Sequence, residues 1–310
     1  MILIAIPAVV IAAVSLAAFF GEWVWWLDVA ANFRAQYVVV LTVLSLVLIP
    51  GKWRRVGFGV LAVAAVNLVV ILPLYVGSPG TPIAGAPSLR IMSFNLLSTN
   101  DAYKDLIEYI EFTDPDVVFL HEASRPWEVA VEAADLDYTT VRARSEDLIF
   151  GTLVLVRADS PQIVTYGFAG TQPRAVSIAY RPLGWPESIE ILSTHPLAPT
   201  DRANAALRDA QLQFATDWLA DQEGVFAVVG DFNATPWSSP FRKMLAGADV
   251  RNSQIGFGLQ PSFPTTSSFL FRVPIDHLVH SDTLTVIDRR LGPTMGSDHF
   301  PLVVDLELAP

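Results

Sequence analysis

The sequence contains no cysteine, which excludes a disulfide, a thiolate-bound metal and a cysteine nucleophile. Lysine is almost as scarce: Lys104 and Lys243 are the two beyond residue 78, and no basic cluster forms there. Tracking along duplex nucleic acid needs many Lys and Arg to displace phosphate counterions, so the chain is poorly equipped for it. Charge of either sign is thin in the first 77 residues, where Glu22, Asp28, Arg34, Lys52, Arg54 and Arg55 are the whole supply. Those side chains net +2, and the 16 basic and 29 acidic ones that follow net −13, which together give −11. The chain therefore has an apolar, slightly basic head and an acidic body. An acidic body still admits a phosphorylated substrate, because a bound cation inverts the local field.

What is abundant is apolar length. Hydrophobic residues make up 52% of the 310, high for a soluble globular chain, and the excess sits in the head. Residues 1–20 and 56–75 are each about 20 residues of nearly unbroken apolar sequence, enough to cross a hydrocarbon core of roughly 30 Å. Asn67 is the one strongly polar member of the second run. Between them we expect a further span over about 32–50, with Arg34 near its end snorkelling to the interface. Trp23, Trp25 and Trp26 fall where an interfacial aromatic belt belongs. The basic loop Lys52-Trp53-Arg54-Arg55 is expected to stay cytoplasmic, which sends everything after residue 77 to the outside. A rival reading makes the first run a cleaved signal with Ser15-Leu16-Ala17 as its small-residue site, although a basic n-region is missing. Both readings leave the body outside the cytoplasm. The domain division is thus 1–77 for the transmembrane region, 78–88 for a Pro/Gly/Ser-rich linker, and 89–310 for a catalytic domain.

In the body, short β-like runs alternate with amphipathic helices. Strands are expected at 89–94, 117–120, 148–156, 176–180, 189–193, 225–229, 275–279 and 302–308. Tyr103, Leu106, Ile107 and Ile110 have helical spacing, with Asn100 as the cap and Asp114-Pro115 as the stop. A second helix carries Leu207, Ala210, Phe214 and Trp218 on one side. The last strand alternates, with Leu302, Val304, Leu306 and Leu308 on one face and Asp305 and Glu307 on the other. Many strands with few helices imply an α+β sandwich of two sheets flanked by helices. The informative pattern is what ends each strand: Asn95, His121-Glu122, His195, Asp231 with Asn233, Asp276, and Asp298-His299. Rigid strands that deliver polar groups to their end loops are a common way of building active sites.

With IMSFNLL, DVVFLHEAS, LSTHPLAP, VVGDFNATPW, PIDHLVHS and GSDHFPLV in that order, the body resembles the endonuclease/exonuclease/phosphatase superfamily over about residues 89–308. The resemblance looks strongest to membrane-bound bacterial members. It implies a four-layer α/β sandwich of two packed, mainly antiparallel sheets, and metal-dependent hydrolysis of phosphoric ester bonds. By resemblance Glu122 is the principal metal ligand, Asn95 its partner and Asp298 a further carboxylate, with Mg²⁺ or Mn²⁺ as the cofactor. His299 is similar to the histidine that contacts the scissile phosphate and acts as base, with Asp276 fixing its tautomer. Asp231 is to orient or deprotonate the attacking water, Asn233 to donate to a phosphate oxygen, and His195 to bond the phosphate or protonate the leaving group. His121 stands where the family often has Gln, and His277 is expected to pack. Arg174, Arg202 and Arg208 are expected to be solvated, while Trp237 and Phe263 are expected at the pocket rim.

The expected function is a membrane-anchored, divalent-metal-dependent phosphodiesterase or phosphatase acting outside the cytoplasm. Its partners are the bilayer, through three N-terminal spans, and a phosphoester substrate, with no obligate protein partner evident. Lipid head groups and small phosphoesters suit an acidic, anchored body better than nucleic acid, which calls for a basic, aromatic-lined groove. An extracytoplasmic endo- or exonuclease and a non-enzymatic membrane module with a degenerate site are the competing readings.

Overall fold

The computed structural model describes residues 2–143, 150–158, 161–167 and 175–309. The head comprises α1 (Ile2–Ala17), α2 (Trp25–Ala31), α3 (Arg34–Leu48) and α4 (Arg54–Ile71). The stretches Ile2–Phe20 and Arg54–Tyr75 are each long and apolar enough to cross a membrane. The run between them is not a straight rod, because α2 and α3 meet at 69°. Alone, α3 covers about 22 Å at 1.5 Å per residue, shorter than either flanking stretch, and α2 turns away from its axis. Small residues Ala5, Ala8 and Ala12 of α1 let it pack closely on Leu41 and Leu48 of α3 and on Val60 and Ala64 of α4.

Arg34 does not snorkel. It is 1% exposed, and its Nη1 donates to Ser15 O at 2.9 Å and to Asn67 Oδ1 at 2.8 Å. Its guanidinium also lies 3.8 Å from the Phe19 ring centroid. Asn67 Nδ2 in turn donates to Ser15 Oγ at 3.1 Å. Partners from two other helices hold its Nη1 and the Phe19 ring lies against its face, so the cation is engaged where it stands, although its buried Nε has no partner. Ser15 is buried in this network.

The body has two six-stranded sheets. One is ordered β11-β12-β1-β2-β4-β3, from β1 (Ser88–Asn95), β2 (Val117–Ser124), β3 (Thr139–Ala143), β4 (Phe150–Val156), β11 (Leu284–Leu291) and β12 (Leu302–Leu308). The other is ordered β5-β6-β7-β8-β10-β9, from β5 (Gln162–Tyr166), β6 (Ala175–Tyr180), β7 (Ile189–Thr194), β8 (Phe226–Asp231), β9 (Arg251–Asn252) and β10 (Asp276–His280). Each sheet has one parallel pair, β1 with β2 and β7 with β8, and the remaining pairs are antiparallel. Ile91, Phe119, Val154, Ile191, Val229 and Val304 share the core between the sheets. Helices α5 (Tyr103–Thr113) and α6 (Arg125–Ala133) cover one outer face through Leu106, Ile110 and Trp127. The other face is covered by α7 (Arg202–Ala220) and α8 (Ser239–Gly247) through Leu212, Ala215, Phe241 and Met244. This is the expected four-layer sandwich.

Several local expectations fail for physical reasons. Helix α6, helix α8 and the edge strands β3, β5, β9 and β11 are additional, and part of the strand expected at 148–156 lies outside the described residues. Asn100 is not the cap of α5, whose N-cap position is Ala102. Its Nδ2 instead bridges to Leu96 O and Met295 O, tying two loops together. The faces of β12 are as expected, with Leu302, Val304 and Leu306 in the core, and Glu307 opposite them is 5% exposed because the chain before β1 crosses it and Ile83 N donates to its carboxylate at 3.1 Å. The buried face of α7 runs through Ala205, Arg208, Leu212, Ala215 and Leu219, while Leu207, Phe214 and Trp218 flank it half-buried and Ala210 is exposed. Arg208 shifts that face inward. It is completely buried, and its Nη2 is 2.7 Å from Asp28 Oδ2 on α2.

That ion pair is the centre of the junction between head and body. Asp28 Oδ1 also accepts from Ser239 N at 2.6 Å, capping α8 from outside the body. Asn32 Oδ1 accepts from Thr235 Oγ1 at 2.9 Å. Trp237, expected at the pocket rim, packs instead among Ala18, Ala31, Ile71 and Leu74 of the head.

Candidate active site

Both parallel pairs deliver their strand ends to one place. β1 ends at Asn95 and β8 at Asp231, β10 begins at Asp276, His195 follows β7, and Asp298-His299 precede β12. The register of β2 against β4 slips between Leu120 and Ala123, and Glu122 sits in that bulge at φ 55°. A bulge re-aims a side chain, and here it turns Glu122 out of the ladder. Gly230, beside Asp231, has φ 145°, and a Cβ there would come within 2.0 Å of Thr194 O. Only glycine lets β7 and β8 close up behind the site.

The side chains line a cavity of about 300 Å³ formed by Asn95, Glu122, His195, Asp231, Asn233, Phe263, Asp298 and His299, with Leu197 and Ala198. A larger cavity, about 540 Å³, lies between the end of α4 and the body. It holds none of the residues singled out by the strand-end pattern, and on its chemistry we place the site in the smaller one.

Asn95 Nδ2 donates to Asp231 Oδ2 at 3.1 Å and to Glu122 Oε1 at 3.3 Å, and lies 3.4 Å from His195 Nε2. Its own Oδ1 accepts from Leu97 N at 3.1 Å. Asn95 as oriented therefore braces two carboxylates with its NH₂ group. Asn233 donates from its backbone N to Asp231 Oδ1 at 3.0 Å and from Nδ2 to Pro196 O at 3.1 Å. His195 Nε2 and His299 Nε2 lie 3.5 and 3.6 Å from Asp231 Oδ2, on which the site converges. His299 Nδ1 is 2.9 Å from Asp276 Oδ2, and the Phe263 ring lies 4.8 Å from the imidazole.

Burial sets the protonation states. It pushes the Asp231 carboxyl up to about 7, against the pull of the His299 charge. Burial works against a charged His299, but the carboxylates of Asp276 and Asp231 outweigh it and raise the imidazolium to about 10. Asp276 is buried too, yet the His299 charge and hydrogen bond hold its carboxyl below the usual range. The result is a cationic His299 backed by an anionic Asp276, facing an Asp231 poised near neutrality.

Asp231, Asp276 and His299 have ligand atoms within 4.8 Å of one another, close enough to hold a cation. Asp276 is fully buried and engaged by His299 Nδ1, so this trio reads as a charge-paired hydrogen-bonded cluster and not as the cation site. Glu122 fits a cation better. Its side chain is 22% exposed, and its oxygens accept two 3.3 Å bonds, from Asn95 Nδ2 and Ser98 N, which leave lone pairs toward the cavity. Glu122, Asp231 and Asp298 line the same cavity, with no Lys or Arg among the described lining residues. His299 is the one cation among these lining side chains against three carboxyl groups, so a phosphate would be helped in by a further compensating cation, and hard oxygen ligands suit a divalent one.

Of the other sequence candidates, His277 packs as expected. It is fully buried between Phe232 and Phe241, its Nε2 lies 2.9 Å from Ala234 O, and burial pushes its pKa down to about 3. His121 stands behind the site, 3.3 Å from Ser193 Oγ and 3.4 Å from Thr152 Oγ1, with its ring 5.4 Å from that of His195. Arg202 is exposed as expected, Arg208 is not, and Arg174 lies outside the described residues. Sequence reasoning missed Ser297, whose Oγ donates to Asn95 O at 2.6 Å and accepts from His299 N at 3.0 Å. Its place just before Asp298-His299 was the available signal. It also missed Ser262, whose Oγ accepts from the backbone N of Ile275 and Asp276; nothing in the pattern marked it.

The model of the Endonuclease/Exonuclease/phosphatase family matches residues 92–299. No curated protein matches the chain in sequence. Among solved structures, a D. rerio TDP2 humanized by 14 mutations superposes with a TM-score of 0.59 at 17% identity, covering 71% of this chain and 99% of that one. An endonuclease/exonuclease/phosphatase from Beutenbergia cavernae gives 0.56 at 18% identity, with 72% of each chain covered. A family protein from Bacteroides thetaiotaomicron gives 0.58 at 15% identity, covering 73% of this chain and 99% of that one. At such identities the likeness is one of fold.

Proposed function

The chain belongs to the endonuclease/exonuclease/phosphatase family and is a phosphoester-hydrolysing, divalent-metal-dependent enzyme, and from that premise we propose that it is anchored in a membrane and acts outside the cytoplasm on a lipid head group or small phosphoester. The observation that carries the substrate preference is the acidic cavity in an acidic body with two lysines, which suits one cation-bound phosphoester and not a polyanion.

In this reading Glu122 and Asp298 hold the cation, Mg²⁺ or Mn²⁺, with Asn95 bracing Glu122 from β1. The cation supplies Lewis-acid charge to the phosphoryl oxygens. His299 remains the imidazolium, so it binds the phosphoryl group as a charged donor and is not the base. Asp276 holds its Nδ1 proton and fixes the ring. Asp231 takes the proton of the attacking water, and Asn233 and His195 donate toward the phosphoryl and leaving oxygens. Phe263 and Leu197 wall the cavity and keep bulk water from it. Anchoring rests on the helices of residues 2–20 and 54–75, with a third crossing over about 32–50 along α3, while α2 turns onto the body at the outer boundary. The division into a 1–77 head and an 89–310 catalytic domain, joined by 78–88, follows from the same reading.

Two measurements test this. Purified full-length protein should hydrolyse bis-p-nitrophenyl phosphate with Mg²⁺ or Mn²⁺, stop on chelation, and show no turnover as Glu122→Ala. Equal background rates for wild type and variant, on that ester and on DNA and phospholipid panels, would favour a non-enzymatic module. A reporter that is active only in the cytoplasm, fused after Pro310, should be silent; a strong signal would reverse the topology.

A further inference from the structure

An apolar turn outside the catalytic cavity presents three adjacent large side chains to solvent. Phe269, Leu270 and Phe271 form a single 3-10 turn and are 56, 55 and 68% exposed. Three adjacent large apolar side chains facing solvent call for a covering partner. The turn is not a loose tip. Arg272 Nε donates to Ser267 O at 2.8 Å and its Nη2 to Thr265 O at 3.1 Å, while its guanidinium lies 4.7 Å from the Phe300 ring centroid. At the base, Phe263 and Val273 pair antiparallel, and Thr265 N donates to Asp298 O at 2.8 Å. The segment that presents the apolar turn is thus hydrogen-bonded to Asp298, and it ends in Phe263, the ring against His299.

Its location indicates what covers it. Gln36 Nε2, in the first turn of α3, donates to Arg272 O at 2.8 Å, which places the apolar turn beside the outer end of a membrane helix. Phe33 of the α2–α3 break and the neighbouring Trp23 and Trp26 are 42, 74 and 54% exposed. Aromatic side chains at this level mark the membrane–water boundary. Continuity with that belt selects a bilayer surface over a protein partner.

We propose that the turn Phe269–Phe271 inserts into the outer surface of the bilayer, and that segment 263–273 thereby holds the catalytic cavity at the level of lipid head groups, so that the substrate is a phosphoester borne by a membrane lipid. This rests on the phosphoesterase reading above and narrows its substrate. The turn acts by presenting the cavity to the interface and takes no part in the chemistry at phosphorus.

The absence of cysteine makes a direct test simple. Full-length Leu270→Cys, labelled with an environment-sensitive fluorophore and reconstituted in phosphatidylethanolamine/phosphatidylglycerol vesicles, should show a blue-shifted emission that brominated lipid quenches. A triple serine variant at 269, 270 and 271 should keep its bis-p-nitrophenyl phosphate rate within about twofold of wild type. On phosphatidylglycerol or phosphatidic acid in the same vesicles it should lose at least tenfold. An unquenched, water-exposed label overturns the insertion, as does an equal loss on soluble and vesicle substrates or a loss on neither. Wild type that cleaves the soluble ester but no vesicle lipid overturns the substrate class and leaves the phosphoesterase reading standing. Wild type no faster than Glu122→Ala on the soluble ester removes that reading itself.

Discussion

Asp231→Asn is expected to lower kcat on a soluble phosphoester by two to four orders of magnitude, roughly the 10²–10⁴-fold that a positioned general base supplies. Asp231 sits where Asn95, Asn233, His195 and His299 converge, and burial brings its carboxyl up to about 7. A raised carboxyl is ionised above its pKa, so the base form accumulates as pH rises, and the wild-type rate should climb along an acid limb. That limb should lie at or below about pH 7, because a cation at Glu122 lowers it further. His299 is the wrong group to produce it, since its two carboxylate neighbours outweigh burial and keep it protonated up to about 10. Loss of the His299 proton should instead cut the rate at high pH, and the two groups titrate as a pair. In Asp231→Asn the acid limb should vanish with the rate. Burial disfavours the ionised carboxylate, so the melting temperature at pH 8 should not fall. A variant that kept the limb, or lost less than about tenfold, would move the base to another residue.

How much of this was legible beforehand depended on whether the signal was local. The strands read well because each is a short apolar run closed by a polar residue, and most of those closing residues line one cavity, with Asp276 and His121 buried behind it. The polar ends were visible because buried sheets leave functional groups nowhere else to go. Asn95 shows the limit: sequence places it beside the metal glutamate, but its amide orientation follows from Leu97 N and two carboxylates brought by other strands. Edge strands such as β5, with Gln162, Val164 and Thr165 exposed, carry too little apolar alternation to stand out. Arg34, Arg208 and Trp237 were misplaced for one shared reason. Each is a residue normally at a surface or rim, buried here by a partner more than 18 positions away. No local pattern encodes such a pairing.

The Arg208–Asp28 pair has the second large expected effect, and it tests whether head and body work as one unit. Removing one partner of a buried pair leaves an uncompensated charge and costs about 3–5 kcal/mol. Asp28→Ala should fall at the lower end, because Arg208 Nε keeps Asp209 Oδ1 at 2.7 Å. The same substitution removes the carboxylate that meets Ser239 N at the start of α8. Activity should fall as well, through position and not chemistry. Arg208 Nη1 donates to Asn233 O at 3.1 Å, and Asn233 in turn holds the Asp231 carboxylate. Small displacements of such a group are costly, and an approximately tenfold drop in kcat with KM little changed is expected. The double variant Asp28→Leu/Arg208→Met separates the two effects. Apolar replacement of both partners should restore much of the stability, as replacing buried ion pairs often does. It cannot restore the bond to Asn233 O, so kcat should stay low. Stability and kcat recovering together would mean that Arg208 only fills space. By the same logic a body cut free at residue 89 loses Asp28 and Asn32 and uncovers Trp237, so the Asn233–Trp237 loop should lose order when the N-terminal helices are removed.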